Sequence, residues 1–204
     1  MRCGGRLSSV VRDRAYRRWL LLRHGSAISI DPSATISGRI ELARGARLVV
    51  GPLARVEDLF QVWGSVTVEV GRSSTIFMGV RIYGTGSVVF GDRVVVNGTK
   101  INCLESVLVG DDSLIGSAFI TDTDFHNVSP TTRRTRPAPD VTEAVSIGSN
   151  VWIGYGCIVL KGCRIGDDSV LGAGSVLRGN VADGVVVAGN PAVVVRTFPP
   201  SERT

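Results

Sequence analysis

The sequence predicts an all-β fold in which the chain winds as a parallel β-helix. One observation is a repeated unit that starts with an apolar residue, which in most units is followed by a glycine and then by two polar or small residues. An aliphatic residue stands six positions after the first. Seven such units align, starting at Ile30, Val50, Val70, Phe90, Val109, Ile147 and Ile165. The second observation is composition, because 25 glycines and 6% aromatic residues suit a fold of small side chains and tight turns. Both are typical of a solenoid.

The repeat is most regular in the late part of the chain. Aliphatic residues stand at positions 147, 153, 159, 165, 171 and 177, a strict period of six residues. This period matches neither the turn of an α-helix nor the alternation of a simple strand. It fits a short strand followed by a tight turn, with one aliphatic side chain per step pointing into a narrow interior. Three steps close a triangular coil of about 18 residues, and successive coils stack as parallel strands about 4.8 Å apart.

One long interruption breaks the repeat. Residues 127–146 contain three prolines and three arginines, which cannot continue a hydrogen-bonded ladder, so we expect a loop that leaves one corner. Such loops are usually functional or disordered, and the position of this one directly after a histidine favours a function. The predicted organisation is a basic N-terminal segment over residues 1–27 and a β-helix domain over 28–204. The domain includes this insertion and a C-terminal cap over 183–204.

The positive charge of the chain is concentrated at its N-terminus. Residues 1–24 hold seven arginines and one acidic residue, so the rest of the chain is close to neutral and no nucleic-acid partner is expected. Residues 10–23 have the pattern of a helix, with Val11, Ala15, Trp19 and Leu22 on one face. Such a helix could cap the open first coil or touch an anionic membrane surface, and the sequence leaves both open.

The cysteines and the apolar runs indicate the cellular compartment in which the protein is expected. The chain has four cysteines, which show no CxxC spacing and no zinc pattern: Cys3, Cys103, Cys157 and Cys163. No apolar run reaches the length of a spanning helix, and the three leucines from Leu20 are too short for a signal peptide. We therefore expect reduced thiols and a cytoplasmic protein, either free or at the inner face of the membrane.

The late coils resemble a known family. They read Ile147-Gly-Ser-Asn-Val-Trp-Ile-Gly, then Ile165-Gly-Asp-Asp-Ser-Val-Leu-Gly-Ala-Gly-Ser-Val, then Val187-Ala-Gly-Asn-Pro-Ala. This succession resembles the hexapeptide-repeat acyltransferases, the group with the galactoside, maltose and polysaccharide O-acetyltransferases. The resemblance implies a left-handed parallel β-helix, a homotrimer with active sites between subunits, and acetyl-CoA as acyl donor without a metal.

His126 is the candidate catalytic base. The chain has only two histidines, and His24 ends the basic N-terminal segment whereas His126 stands where the insertion begins. An imidazole titrates near neutral pH, so it can take the proton of an attacking hydroxyl and return it to the leaving thiolate. A second group should fix the ring's tautomer. Asp124, Asp122 or a backbone carbonyl could do so, and strand alternation places both aspartates nominally on the side of His126.

The resemblance also implies residues for the donor. It places an oxyanion-binding backbone N–H at Tyr155, from an adjacent subunit, and a backbone contact to the pantetheine at Ala173. The family's usual Thr-Lys pair is here Arg178-Gly179. Arg178 and Arg196 remain candidates for the phosphates of CoA, since a guanidinium group matches phosphate in a bidentate way.

Acceptor contacts are predicted from position. Asn97 and Asn102 lie one coil before His126 and could reach the acceptor hydroxyl, although each could equally be a turn or ladder residue. Arg133 and Arg134, in the insertion, would suit an anionic acceptor.

The predicted function is transfer of an acetyl group from acetyl-CoA to a sugar hydroxyl, on a glycan or on a lipid- or nucleotide-linked precursor. N-acetylation of an amino sugar is a close alternative, and a non-catalytic trimeric scaffold is an alternative of a different class. A hydratase of the carbonic anhydrase type needs three histidine ligands, and the repeat region has only His126. A serine acetyltransferase is a weaker alternative, because those enzymes carry a large helical N-terminal domain and only about 27 residues precede the repeats in this sequence.

Overall fold

A computed structural model describes residues 9–135 and 141–204. One α-helix, α1 (Ser9–His24), precedes the strands. In chain order the strands are β1 (Ile28–Ile30), β2 (Thr35–Ile36), β3 (Ile40–Leu42), β4 (Arg47–Val50), β5 (Arg55–Val56), β6 (Phe60–Gly64), β7 (Thr67–Val70), β8 (Thr75–Phe77), β9 (Val80–Gly84), β10 (Ser87–Phe90), β11 (Val95–Asn97), β12 (Lys100–Cys103), β13 (Ser106–Val109), β14 (Leu114–Gly116), β15 (Phe119–Thr121), β16 (Val145–Ile147), β17 (Trp152–Ile153), β18 (Ile158–Val159), β19 (Arg164–Ile165), β20 (Val170–Leu171), β21 (Val176–Leu177), β22 (Val185–Gly189) and β23 (Ala192–Thr197). A 3₁₀ turn, Pro200–Glu202, follows.

The strands form three sheets that run the length of the solenoid. The first sheet has the order β1-β4-β7-β10-β13-β16-β19, the second β2-β5-β8-β11-β14-β17-β20-β22-β23, and the third β21-β18-β15-β12-β9-β6-β3. From β1 to β21, strands three apart in the chain pair in parallel, so three consecutive strands make one triangular coil. Between β1 and β4, for example, Ile28 lies beside Leu48. The predicted parallel β-helix is confirmed, and the 20-residue step of the early coils is the register between neighbouring coils.

The interior is a column of mostly aliphatic side chains that also includes Phe60 and Phe90. The late positions predicted to point inward are all buried, with Ile153, Val159 and Leu171 at 0% exposure. Buried serines sit among them at the corners. Ser74 donates its hydroxyl to the Gly91 carbonyl over 2.7 Å and accepts the Val94 N–H over 2.9 Å. Such bonds satisfy the backbone of the turns and tie each corner to the next coil.

The helix α1 lies against the open end of the first coil. The Asp13 carboxylate accepts the Ile36 N–H over 3.0 Å, and the Tyr16 hydroxyl accepts the Ile40 N–H over 2.9 Å. Leu20, one turn after Tyr16, is fully buried. These contacts satisfy backbone groups that a first coil otherwise leaves unpaired.

The prediction of which face of this helix packs on the solenoid is wrong. Trp19 is 46% exposed and Leu22 is 77% exposed, and Ala15 is also exposed. The side that docks carries Asp13, Tyr16 and Leu20 instead, because the edge of the first coil offers backbone donors as well as apolar surface. Over the described residues, no helix is long and apolar enough to cross a membrane.

The C-terminal end of the solenoid closes differently. Strand β22 continues the second sheet in parallel, and β23 then returns antiparallel beside it. The final residue, Thr204, donates its backbone N–H to the Asp168 carboxylate over 3.1 Å. Cys103, Cys157 and Cys163 are buried free thiols inside the solenoid, and Cys3 lies outside the described residues.

Candidate active site

The insertion leaves the solenoid after β15 and returns at β16. Its two ends pair with each other, through an antiparallel bridge between Thr123 and Thr142 and a 2.8 Å bond from the Asp124 N–H to the Val141 carbonyl. The loop predicted over residues 127–146 therefore begins and ends earlier, since the chain is already off the sheet at Asp122 and is back in strand β16 by Val145. Residues 136–140, with Arg136, lie outside the described residues.

Asp122 fastens the start of the insertion to the coil before it. Its side chain is fully buried and accepts the backbone N–H of Leu104 over 2.9 Å and that of Glu105 over 2.7 Å. The thiol of Cys103 lies in the same buried environment. Burial, as the larger cause, and the negative charge of Asp122, as the second, raise the pKa of Cys103 to about 12. The carboxylate of Asp122 is thus committed to the backbone of the preceding corner.

Asp124 fastens the insertion to the coil after it. Its carboxylate lies 2.7 Å from the Lys161 ammonium group, and both side chains are partly exposed. The backbone continues this link, since the Gly162 N–H donates to the Glu143 carbonyl over 3.0 Å. Lys161 has no place in the repeat pattern, and its role was not predicted from the sequence.

His126 stands at the point where the backbone turns away from the paired ends of the insertion. The residue before it, Phe125, has a φ of 62°, in the left-handed region that bulky side chains rarely adopt. The turn is held by a 3.0 Å bond from the Phe125 N–H to the Thr123 hydroxyl. Eight other non-glycine residues of the described chain share this conformation, among them Leu53 and Met78, so it is a general feature of the tight turns of this solenoid. The turn leaves the imidazole of His126 exposed.

A cavity of about 660 Å³ opens beside this histidine. Its lining residues all belong to the insertion and are Phe125, His126, Asn127, Arg133, Arg134 and Thr135. The structure therefore brings together the predicted base and both predicted acceptor-binding arginines.

Asn127 shapes this cavity. Its side-chain amide donates to the Thr132 carbonyl over 2.9 Å and to the Thr135 hydroxyl over 3.1 Å. These bonds fold the far arm of the insertion back towards the histidine. Sequence reasoning did not single out Asn127 or Phe125, although an Asn beside a candidate catalytic residue is a common turn former.

The predicted donor residues lie on another part of the chain. Tyr155 and Ala173 occupy stacked turns between the second and third sheets, where the Gly174 N–H donates to the Tyr155 carbonyl over 2.8 Å. A Cβ on Gly154 would lie 2.8 Å from the Ala173 nitrogen, so the close stacking of these turns requires glycine there. Tyr155 is 75% exposed, and Ala173 is exposed as well.

The two arginines predicted to bind CoA stand near the C-terminal end. Arg178 is exposed just after β21. Arg196, on β23, pairs with Glu202 at 3.1 Å and lies over the Phe198 ring at 4.9 Å. None of the four predicted donor residues lines the cavity beside His126 within the described part of one chain.

The two predicted acceptor asparagines are separated by the fold. Asn97 accepts the Ser117 N–H over 2.9 Å through its side-chain oxygen, so it joins two stacked corners. Asn102 faces outward from the third sheet, between Tyr83 and Thr121 in register. Neither lines the cavity beside His126.

Comparison with known proteins agrees with this architecture. The family "Bacterial transferase hexapeptide (six repeats)" matches residues 144–179. The Escherichia coli (strain K12) protein WbbJ, which bears the name "Putative lipopolysaccharide biosynthesis O-acetyl transferase", is 37% identical over 143 residues, which cover 65% of this chain and 72% of WbbJ.

Solved structures show the same fold. The polysialic acid O-acetyltransferase OatWY superimposes with a TM-score of 0.68 at 20% identity, over 85% of this chain and 89% of that one. A hexapeptide-repeat acetyltransferase from Vibrio cholerae O1 biovar eltor, complexed with acetyl coenzyme A, superimposes with a TM-score of 0.53 at 24% identity, over 64% of this chain and 70% of that one. With the repeat, the triangular coils and the similarity to WbbJ, the chain belongs to the family of hexapeptide-repeat O-acetyltransferases.

Proposed function

We propose that the chain transfers an acetyl group from acetyl-CoA to a sugar hydroxyl, with His126 as the general base. The observation that carries this proposal is the cavity beside His126, which combines one exposed imidazole with Arg133 and Arg134 in the single long insertion of an acetyltransferase solenoid. The donor is supported by the Vibrio cholerae protein of the same fold, which was crystallised with acetyl coenzyme A. The acceptor class is supported by the names of WbbJ and OatWY, which refer to lipopolysaccharide biosynthesis and to polysialic acid.

In the proposed reaction, the acceptor oxygen attacks the thioester carbon while the imidazole of His126 takes the hydroxyl proton. The tetrahedral intermediate then collapses, the carbon–sulfur bond breaks, and the imidazolium returns the proton to the thiolate of CoA. General base catalysis of this type contributes roughly 10²–10⁴-fold to the rate. The negative charge on the intermediate's oxygen needs a donor, for which we propose the backbone N–H of Tyr155.

We propose that the working unit is a homotrimer with active sites between subunits. The supporting observation is that Tyr155 and Ala173 lie on the corner between the second and third sheets, whereas the cavity beside His126 is lined by insertion residues alone. A second copy of the chain can present its corner to this cavity. We assign the pantetheine to Ala173 and the phosphates of CoA to Arg178 and Arg196, in the cytoplasm where acetyl-CoA is available.

Asp124 is the carboxylate that we propose as the orienting group for His126. A rotation of its partly exposed side chain away from Lys161 requires the loss of one ion pair. Asp122 would have to leave two backbone N–H groups in a buried corner, which costs much more.

The test is the substitution His126→Ala, with release of the free CoA thiol measured in the presence of acceptor glycans. We expect kcat to fall roughly 10²–10⁴-fold while the KM for acetyl-CoA stays the same. A matched control is Val128→Ala, because Val128 is 76% exposed in the same insertion and its side chain does not line the cavity. Turnover by His126→Ala at the wild-type rate would contradict the catalytic assignment.

The product distinguishes O-acetylation from N-acetylation of an amino sugar. An acetyl ester is hydrolysed by mild alkali, whereas an acetamide survives the same treatment. We expect the acetyl group on the product glycan to be released by alkali, as followed by mass spectrometry. An alkali-stable product would establish the N-acetyltransferase instead, and a wild-type protein that releases no CoA with any acceptor would favour the scaffold.

A further inference from the structure

A second and larger groove lies at the N-terminal end of the solenoid, between α1 and the first strands of the third sheet. Its volume is about 1060 Å³. Trp19 of α1 and Trp63 of β6 both line it, and each is 46% exposed. A tryptophan ring is large and apolar, so two half-exposed rings on one groove leave considerable apolar surface for a ligand to cover.

The rings on the helix side are held in place before any ligand arrives. Tyr16 and Trp19 stack with 5.6 Å between ring centroids and an interplanar angle of 16°. The guanidinium group of Arg23 lies 5.0 Å from the Trp19 ring. Tyr16 itself is fixed by its bonds to the backbone of Ile40. An aromatic platform with a cation beside it is therefore preorganised, which lowers the entropic cost of binding.

From this groove a strip of outward-facing side chains runs along the third sheet towards the insertion. The strand registers place Trp63 beside Tyr83, Tyr83 beside Asn102, and Asn102 beside Thr121. The centroids of the Trp63 and Tyr83 rings are 5.9 Å apart. Thr121 ends β15, directly before the insertion that carries His126, and is itself buried, so the exposed part of the strip ends at Asn102. With about 4.8 Å between coils, the distance from Trp63 to Thr121 is about 14 Å.

Basic side chains lie in the groove and beside the strip. Arg23, Arg81 and Lys100 form no ion pair with any residue that the structure describes. The ammonium group of Lys100 lies 5.6 Å from the centroid of the Tyr83 ring and 5.7 Å from that of Phe119.

The charges that line the groove balance each other. Asp13 accepts a backbone N–H and keeps its negative charge, and Glu41 pairs with Arg39 at 2.8 Å. The excess positive charge is therefore that of Arg81 and Lys100 beside the strip, and it favours an anionic ligand.

We propose that the groove and strip bind the distal residues of an anionic oligosaccharide whose reactive hydroxyl lies at His126. This inference rests on the proposed function for the His126 end alone. A sugar ring has an apolar C–H face that stacks on an aromatic ring and a polar rim that suits Asn102. Acidic groups on such a chain pair with Arg23, Arg81 and Lys100. A monosaccharide cannot reach from the groove to the insertion, so an acceptor that occupies both must be a chain of several sugars.

Binding is tested with oligogalacturonates of graded length as the anionic probe, followed by tryptophan fluorescence and by calorimetry. A Trp152→Phe background leaves Trp19 and Trp63 as the reporting rings. Affinity should rise with the length of the probe, and neutral malto-oligosaccharides should bind weakly. Trp63→Ala and Trp19→Ala should each weaken binding roughly tenfold. Leu22→Ala is the control on the same helix, because Leu22 is 77% exposed and does not line the groove.

Two further measurements separate this inference from the proposed reaction. His126→Ala should bind the probe as tightly as the wild type while transfer is lost. Trp63→Ala should raise the KM for a long acceptor and leave that for a short one unchanged. Binding that is independent of length or of Trp63 would overturn the inference. So would binding to anionic phospholipid vesicles in place of the probe, or a change in oligomeric mass on mutation of Trp63, which would make the groove a membrane or subunit contact.

Discussion

Replacing Asp122 with alanine should detach the start of the insertion and lower the free energy of unfolding by about 2–4 kcal/mol. The wild-type carboxylate accepts the N–H groups of Leu104 and Glu105 over 2.9 and 2.7 Å from a fully buried position. Alanine offers no acceptor, so both backbone donors lose a charged partner. A hydrogen bond to a charged group contributes about 1.5–3 kcal/mol, so two such bonds contribute about 3–6 kcal/mol. Water that enters the space left by the carboxylate can pair with the two N–H groups, which reduces the expected loss to about 2–4 kcal/mol.

The matched control is Asp124→Ala, which removes the same charge two residues along the chain. Its partner Lys161 lies 2.7 Å away, but the two side chains remain 24% and 37% exposed. A partly exposed ion pair contributes at most about 1 kcal/mol, so this variant should stay close to the wild type in stability. The two substitutions therefore separate a buried backbone anchor from a surface pair.

Stability is measured by chemical denaturation, and hydrogen exchange at the backbone amides of Leu104 and Glu105 gives a local readout. The Asp122→Ala loss corresponds to a fall in Tm of roughly 4–16 °C for a chain of this size. Exchange at the two amides should accelerate in Asp122→Ala and remain slow in Asp124→Ala. Equal stability of the two variants, or unchanged exchange at both amides, would refute the assignment of Asp122 as the anchor.

Two further outcomes are expected. Leu20→Ala should destabilise the protein by about 2–5 kcal/mol in the same denaturation assay because Leu20 is fully buried between α1 and the first coil, whereas Leu22→Ala, on the exposed side of α1, should change it by less than about 0.5 kcal/mol. Burial and the charge of Asp122 raise the pKa of Cys103 to about 12, so its thiol is protonated at pH 8 and should resist thiol reagents until the protein is unfolded or the pH approaches that value. Mass spectrometry after labelling at pH 8 checks this, and modification of Cys103 in the folded protein at that pH would contradict it.

The fold could be predicted because every coil imposes the same physical requirement on its sequence. One inward position per strand must be aliphatic, and the spacing of those positions survives in the early coils even where corner residues lengthen the step. Ile36, Val56 and Ile76 follow this rule at a 20-residue interval and are all buried. The corners do not follow it, because their bonds depend on which turn stacks on which.

The position of His126 could be predicted, and the surroundings of the two aspartates could not. Alternation along a strand placed Asp122, Asp124 and His126 nominally on one side. That reasoning assumes that the strand continues, whereas β15 ends at Thr121 and the positive φ of Phe125 turns the backbone again. The aspartates consequently bind the coils on opposite sides of the insertion. Whether either orients His126 during the reaction stays a prediction.

The helix α1 shows how a polar requirement can override an apolar pattern. A face with Val11, Ala15, Trp19 and Leu22 is the more hydrophobic in sequence, yet the open coil offers backbone N–H groups that only a polar side chain can satisfy. Asp13 and Tyr16 meet that need, and Leu20 follows them into the core. Docking through this side turns Trp19 to the rim of the groove, opposite Trp63. The same contacts that close the solenoid therefore create the aromatic surface for which we propose a glycan.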